Sequence, residues 1–140
     1  MVVVDGAGIP LGIHVASASP AEVTLIDATL DNLRVPRAGG GRPRQKPERI
    51  IADRAYDSDP SRKQLLQRGI TLIVPYRENR THRKYEDGRK LRRYRRRWVV
   101  ERTFAWFGSF RRLLVRHDRF TFMYRAFMYF AAALIALRRF

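Results

Sequence analysis

Hydrophobic and polar positions at the start of the chain follow the pattern of two strands joined by a turn. Residues 2–4 are three consecutive valines, Asp5-Gly6-Ala7-Gly8 is a turn signal, and residues 9–16 alternate between apolar and polar types. Together these features predict a β-hairpin.

A helical period replaces the alternation after the hairpin. Val23, Ile26, Leu30 and Leu33 lie three to four residues apart, as on one face of a helix. The segment Ser19-Pro20-Ala21-Glu22 has the form of a capping box with proline at the first helical position, so we predict a helix that begins there and ends near residue 33. Residues 36–47 are rich in Gly, Pro, Arg and Lys and predict a flexible basic loop.

The middle of the chain has the pattern of a parallel strand–helix–strand unit. Residues 49–53 form a short apolar run that ends in Asp53, a helix is predicted from about Asp59 to Arg68, and Gly69 precedes a second apolar run at residues 70–75. In such units ligands collect where the strands end, and Asp53 lies there.

The last third of the chain predicts two helices after a polar basic loop at residues 76–88. The first helix carries Glu101 and ends near Gly108, and the second spans about residues 120–138. Residues 126–137 are uncharged, but twelve residues are too few for the roughly 20 that cross a bilayer. We therefore predict a buried helix and no membrane span. The length of 140 residues predicts a single domain over residues 1–140.

The charge of the chain requires an anionic partner. There are 29 basic and 13 acidic residues, which gives a formal net charge of +16. Residues 77–119 contain 16 of the basic residues and only five acids, and such clustering favours a binding groove for nucleic acid over general solubility. An anionic membrane surface is the competing partner.

The side chains that are absent narrow the chemistry. The sequence has no cysteine, and His14, His82 and His117 lack metal-ligand spacing. A bound metal must therefore use carboxylates, which favours Mg²⁺ or Mn²⁺. Because no basic segment precedes the first apolar residues, we expect no secretory signal and a cytoplasmic protein.

Glu101 is the most informative acid, because it is the only carboxylate among eleven basic residues between Asp87 and Asp118. Tyr94, Arg97 and Glu101 are offset by three and seven positions, which places them on one stripe of a helix. An aromatic ring, a guanidinium and a carboxylate on one stripe suit a site where phosphate meets a metal ion. The alternative is an ordinary surface ion pair.

Two segments resemble the second and third acidic motifs of bacterial insertion-sequence DDE transposases. They are Ala52-Asp53-Arg54-Ala55-Tyr56-Asp57-Ser58 and Tyr94-Arg95-Arg96-Arg97-Trp98-Val99-Val100-Glu101-Arg102-Thr103. The family signature of Tyr, two residues, Arg, three residues and Glu falls on Tyr94, Arg97 and Glu101. The resemblance covers essentially the whole chain.

The resemblance implies a ribonuclease-H-like α/β fold, a mixed sheet with flanking helices, that cuts and joins double-stranded DNA at the ends of a mobile element. Asp53 and Glu101 would be the second and third catalytic acids and would bind the metal ion. The first acid lies on an upstream strand in the family, so we expect an incomplete site and an unpaired edge beside residues 2–4. Asp5 is the nearby candidate, but Asp-Gly is ordinary turn chemistry.

DNA contacts are expected from an aromatic and several arginines. The signature often continues with Lys seven residues after the Glu, where this chain has Gly108, so Arg111 or Arg112 would replace that phosphate contact. The full expected set is Tyr94, Arg97, Arg93, Arg96, Arg54, Arg111 and Arg112. The partners implied are the terminal inverted repeats and the target DNA, together with a second copy in a synaptic homodimer.

Several residues have simpler interpretations. We interpret Asp57 and Asp59 as helix-capping acids. Most members of an aromatic group are expected in the core instead of stacking on bases: Trp98, Phe104, Trp106, Phe107 and Phe110.

The alternative function is a non-catalytic DNA-binding remnant or an inhibitor of transposition. A third interpretation is an RNA-binding protein, but the sequence contains no aromatic RNA-binding sheet motif.

Overall fold

The fold is mixed α/β, as predicted. The computed structural model describes residues 1–17, 19, 21–81 and 92–139. The strands are Val2–Val4 (β1), Pro10–Ile13 (β2), Arg49–Ile51 (β3) and Thr71–Ile73 (β4). The α-helices are Ile26–Asp31 (α1), Asp59–Gln67 (α2), Trp98–Gly108 (α3), Arg111–Leu114 (α4) and Thr121–Leu137 (α5), and 3-10 helices span Glu22–Leu25, Arg54–Tyr56 and Arg95–Arg97.

The predicted N-terminal hairpin is confirmed. Strands β1 and β2 pair antiparallel, with Val2 opposite Ile13 and an irregularity in register after Val3. Successive side chains of a strand point to opposite faces, so the hairpin contributes to two cores: Val3 packs into one and Val2 with Ile13 into the other. The hairpin therefore joins the two halves of the molecule.

The predicted parallel crossover is also confirmed. Strands β3 and β4 are parallel, and α2 connects them. Ser58 is the N-cap of α2, and Gly69 ends the helix with a φ of +73°, a conformation that side-chain-bearing residues rarely adopt. Within the described residues, β1 pairs only with β2 and β3 only with β4, so each strand has one edge without a strand partner.

The predicted capping box is wrong. The helical segment begins at Glu22 as a 3-10 turn and becomes α-helical at Ile26, and its N-cap is Ala21, which cannot make a side-chain bond. Pro20 lies outside the described residues. The loop at residues 36–47 has no helix or strand, although an isolated bridge between Val35 and Arg44 closes its base. Of the loop at residues 76–88, positions 82–88 lie outside the described residues.

Two hydrophobic clusters form the core. The first joins α1, α2 and β4 through Ile26, Leu30, Leu33, Leu65, Ile70, Leu72 and Val74. The second joins β2, α3 and α5 through Ile13, Phe107, Met128, Ala131 and Ile135. The hairpin contributes side chains to both clusters, so it links α3 to the strand–helix–strand unit.

The prediction that the last helix is buried is wrong. Only Met128, Ala131 and Ile135 of α5 are buried, and they form one stripe that faces the second cluster. Its other apolar side chains are exposed or half-buried, because the described residues place no second layer over that side. Across the described ranges, none of the helices has the length and apolar character needed to cross a membrane.

Candidate active site

Asp53 lies where the first strand of the crossover ends, as predicted. It follows β3 by two residues and starts the 3-10 helix Arg54–Tyr56, whose first backbone N–H donates to Asp53 Oδ1 at 2.6 Å. The carboxylate is about half exposed, so it is accessible to a ligand.

Glu101 lies in the first turn of α3 and points away from the core. The buried face of this helix consists of Val99, Thr103 and Phe107. On that face, Thr103 Oγ1 donates to the Gly8 carbonyl at 2.7 Å, which fixes the helix against the turn of the hairpin. The Glu101 side chain on the opposite side is 55% exposed.

Arg97 brings the two acids together. Its Nη1 lies 3.4 Å from Asp53 Oδ2 and its Nη2 lies 2.8 Å from Glu101 Oε1. One guanidinium therefore contacts two carboxylates that are 48 positions apart in the sequence. Because all three groups are partly exposed, each pair contributes only about 0.2–1 kcal/mol, so the contact is exchangeable.

Tyr94 joins this group, although the predicted helical stripe is interrupted. Residues 95–97 form a 3-10 turn before α3 begins at Trp98. In a 3-10 turn side chains three positions apart eclipse, and the Arg97 guanidinium accordingly lies 5.9 Å from the centre of the Tyr94 ring. The three side chains of the signature are thus adjacent without a continuous α-helix.

The two acids have oxygen ligands of the type that Mg²⁺ and Mn²⁺ prefer. Among residues 1–17, 19, 21–81 and 92–139, however, no cluster of three or more acids, histidines or cysteines could hold a metal ion. Asp5 does not join them: its Oδ1 accepts the backbone N–H groups of Ala7 and Ile9 at 2.8 Å each, the turn role expected for it. Within the described residues the group at Arg97 therefore contains two carboxylates, those of Asp53 and Glu101.

The arginines expected to contact DNA fall into two groups. Arg54 lies beside Asp53 and pairs with Glu78 at 2.6 Å, while Arg93 and Arg96 are exposed just before α3. The other group is on α4, where Arg112 pairs with Asp118 at 3.2 Å and lies over the Phe127 ring. Arg111, its neighbour, is exposed. A phosphate contact by the α4 pair stays a prediction.

Asp57 is a structural acid that the sequence interpretation missed. It was expected to cap a helix, but Ser58 is the cap, and the Asp57 side chain is 1% exposed. It accepts hydrogen bonds from Arg62 at 3.0 Å, from Arg80 at 2.9 Å and from the Arg77 backbone N–H at 2.9 Å. Asp59 does lie in the first turn of α2, where it pairs with Arg80.

The environment of Asp57 favours its charged form. Burial alone would raise the pKa of the carboxyl group, but the hydrogen bonds from Arg77, Arg62 and Arg80 outweigh burial and lower it. Arg62 and Arg80 also lie over the Tyr76 ring, at 4.6 and 4.9 Å from its centre. The cluster therefore fixes the segment after β4 against the turn that begins with Asp53. In the sequence, an indication of this buried acid is Arg62, a charged residue on the buried face of α2.

The expectation for the aromatic residues is correct only in part. Phe107 is in the core, and Trp106 and Phe110 pack against it. Trp98 and Phe104 are 52% and 50% exposed, on turns that flank Glu101. Arg102 lies against Trp98 and Trp106, so the exposed ring of Trp98 already has a cationic neighbour.

Comparison with known proteins agrees with the motifs. The family described as Transposase DDE domain matches residues 1–136. A protein of Burkholderia cepacia named "Putative transposase for insertion sequence element IS402" is 37% identical over 134 residues, which cover 96% of this chain and 60% of that protein. The chain thus spans about three fifths of the length of this relative. No solved structure matches this chain. The resemblance seen in the two motifs is confirmed: the chain belongs to the DDE transposase family of bacterial insertion sequences.

Proposed function

We propose that this chain is part of a transposase catalytic domain that cuts DNA at the ends of an insertion sequence and joins it to target DNA. The observation that carries the proposal is that Asp53 and Glu101 both contact Arg97. These two acids are the residues that the resemblance assigns as the second and third catalytic acids. The net charge of +16 supports a nucleic-acid substrate.

The fold supports a ribonuclease-H-like sheet that one more strand would complete. Strands β1 and β3 each lack a neighbour on one edge within the described residues. A strand inserted between them would join the antiparallel and the parallel pair into one mixed sheet. In the family the first acid lies on such a strand, and it would lie near Asp53, at the same end of the sheet.

DDE transposase domains use a divalent metal ion. Asp53 and Glu101 would hold it here, as Mg²⁺ or Mn²⁺, together with the first acid. When bound, such an ion lowers the pKa of a coordinated water and stabilises charge on the leaving oxygen.

Arg97 and Tyr94 would position the DNA. A phosphate oxygen can replace the carboxylates as the partner of the Arg97 guanidinium, because the present ion pairs are weak and exposed. This exchange would leave both carboxylates free for the metal ion once DNA is bound. With the phosphate so held, hydrolysis would break its P–O3′ bond: a water oxygen would join the phosphorus and the proton would pass to the leaving O3′. The 3′-hydroxyl formed in this way would then join a target phosphorus, with release of the target's own O3′ as a hydroxyl.

A DNA-binding protein without cleavage activity is the second candidate. It is favoured by one observation: the described residues bring together two acids, and Asp5 is engaged in its turn. In that case the chain would occupy element ends, as a remnant or an inhibitor would, through the same arginines.

A labelled terminal-repeat duplex distinguishes the two functions. The catalytic function predicts nicking that requires Mg²⁺ or Mn²⁺ and is lost in Asp53→Asn and Glu101→Gln while duplex binding persists. Binding by the unaltered chain without nicking, with either ion, would support the second candidate. Absence of duplex binding at low salt would contradict both.

A further inference from the structure

The junction between α4 and α5 carries two stacked aromatic rings at the surface. The centres of the Phe120 and Phe122 rings lie 5.5 Å apart, and the two ring planes are inclined by 24°. The residues are 57% and 58% exposed. We call these two side chains the aromatic pair. Because exposed rings cost free energy in water, the pair offers apolar area that a partner can cover with a gain in affinity.

Arginine side chains adjoin the aromatic pair. The guanidinium carbon of Arg119 lies 5.9 Å from the centre of the Phe120 ring. Arg116 Nη2 donates to the hydroxyl of Thr121 at 3.0 Å, and Thr121 is the residue between the two phenylalanines. Arg116 Nε also donates to the Asp118 carbonyl at 3.2 Å. These bonds connect the two ends of the junction, so they fix the backbone that carries the rings.

The acid of the junction is withdrawn from its surface. Residues 109–126 contain five arginines and one acid, Asp118. The Asp118 side chain is 8% exposed, and its Oδ1 accepts a hydrogen bond from Arg112 at 3.2 Å. Arg112 in turn lies over the Phe127 ring, 4.2 Å from its centre. Since the carboxylate is covered and paired, the junction presents apolar and cationic groups to an approaching ligand.

We propose that the aromatic pair is a wedge that enters a base step of duplex DNA and bends it, while Arg116 and Arg119 bind the adjoining phosphates. The proposal rests on the DNA substrate of the proposed function and adds a contact on elements other than those of Asp53 and Glu101. Duplex DNA places apolar base faces next to anionic phosphates, which repeat about every 3.4 Å along each strand. Proteins that kink DNA combine these two contacts, with apolar side chains between base pairs and cations on the backbone.

The fixed orientation of the rings favours DNA over an anionic membrane. Stacking on a base requires a ring whose plane is held in place, whereas insertion into lipid depends chiefly on apolar area and charge. The bonds of Arg116 and the mutual stacking of Phe120 and Phe122 hold both planes. A flat, braced pair of rings with guanidinium groups beside it therefore matches a base step more closely than a bilayer.

Unstacking of a reporter base tests the wedge. The probe is a duplex of about 30 base pairs with 2-aminopurine beside a central TA step, a step that unstacks easily. With the intact chain and no divalent metal ion, binding should raise the fluorescence of the reporter several-fold and bring the duplex ends closer, as a kink of about 20–90° requires. Fluorescence of the reporter and energy transfer between the labelled ends measure the two effects.

Two variants separate the wedge from apolar surface in general. Phe120→Ala combined with Phe122→Ala should bind the duplex within about ten-fold of wild-type affinity, because the stacking that it loses is offset by the unstacking that it no longer causes. It should give neither the rise in fluorescence nor the bend. Phe130→Ala removes another exposed phenylalanine of α5, at 64% exposure, and should behave as the wild type. Circular dichroism would verify that both variants fold.

A mismatched duplex provides a second measurement. A mismatch at the central step is already partly unstacked, so less free energy is needed to open it. The wild type should bind the mismatched duplex about ten-fold more tightly than the matched one, whereas the double variant should bind the two with equal affinity.

The outcomes distinguish the wedge from the proposed function. Duplex binding without a rise in fluorescence, or an equal rise in the double variant, would overturn the wedge and leave the proposed function intact. Absence of duplex binding at low salt would contradict both. Adsorption to phosphatidylglycerol vesicles that the double variant loses, without unstacking of bound DNA, would assign the aromatic pair to a membrane surface and overturn the wedge.

Discussion

At the scale of single residues, Arg97 occupies the space between the two candidate metal ligands. A cation that binds Asp53 and Glu101 must displace its guanidinium from both carboxylates. Two exposed pairs together contribute about 1 kcal/mol, so Arg97→Ala should strengthen Mn²⁺ binding by about five-fold in the absence of DNA. The same variant should bind a terminal-repeat duplex more weakly. Titration followed by electron paramagnetic resonance of free Mn²⁺ measures the first effect.

The control for Arg97 is Arg96→Ala. Arg96 is exposed and precedes Arg97 in the same 3-10 turn, and among the described residues the ion pairs of Asp53 and Glu101 are made with Arg97. It should leave Mn²⁺ affinity nearly unchanged. Equal Mn²⁺ affinities in the wild type and Arg97→Ala would show that the guanidinium does not compete with the ion.

The buried carboxylate of Asp57 makes a prediction about stability. Asp57→Asn leaves Arg62 without its buried counter-charge and should lower the free energy of unfolding by about 3 kcal/mol. Asp31→Asn, which removes an exposed partner of Arg68, should cost less than about 1 kcal/mol. Urea unfolding near neutral pH measures both. A loss below about 1 kcal/mol for Asp57→Asn would contradict a structural role of this ion pair.

The same residue predicts the acid limit of stability. Because the folded pKa of Asp57 is lowered, its contribution is fully present above the unfolded pKa of about 3.9 and is lost as the pH falls through the folded pKa. Stability should therefore decline below about pH 4, more steeply in the wild type than in Asp57→Asn. Unfolding curves measured from pH 5 to pH 2 would show the difference in slope. Parallel curves would contradict the assignment.

The residues that sequence reasoning located are those whose positions follow from local rules. Asp53 follows a strand, and Glu101 is close along the chain to Tyr94 and Arg97. Asp57 was misassigned because Arg80, one of its partners, is 23 positions away, and nothing local distinguishes a buried acid from a cap. The role of Arg97 as a contact to both acids likewise depends on tertiary structure.

At the scale of elements, the hairpin turn determines where α3 lies. Gly8 has a φ of +89°, and a Cβ there would lie 3.0 Å from Thr103 Oγ1 and 3.3 Å from Trp106. Gly8→Ala should therefore destabilise the protein by about 2–3 kcal/mol and shift the helix that carries Glu101. Thermal unfolding measures the first effect, and Mn²⁺ affinity reports on the second.

Gly40→Ala provides a matched control for this turn. Gly40 also has a positive φ, of +76°, but a Cβ there would have no neighbour within 4 Å. Its cost should be limited to backbone strain, about 1 kcal/mol, with no change in Mn²⁺ affinity. Equal effects of the two substitutions would mean that the contact between the turn and α3 does not position the site.

Helices and strands could be predicted where the hydrophobic periodicity and the residues that mark the ends of a segment indicated the same boundaries. The hairpin and the crossover were predicted because turn residues and Gly69 mark where the strands begin and the helix ends. The burial of α5 was not predictable, because an apolar sequence does not reveal whether one face or both have partners. The first helix starts later than predicted, because Ser19 resembles a cap that the backbone does not use.

At the scale of the whole molecule, the basic charge makes the last prediction. Duplex affinity should fall steeply with salt, because each phosphate contact changes the logarithmic slope by about 0.9. Arg93→Ala with Arg96→Ala should reduce that slope by about 2. Arg37→Ala with Arg42→Ala, in the loop at residues 36–47, removes the same net charge and should leave it nearly unchanged if DNA lies across α3. Fluorescence anisotropy at several salt concentrations measures each slope, and equal reductions would indicate that charge alone, without a defined groove, binds the duplex.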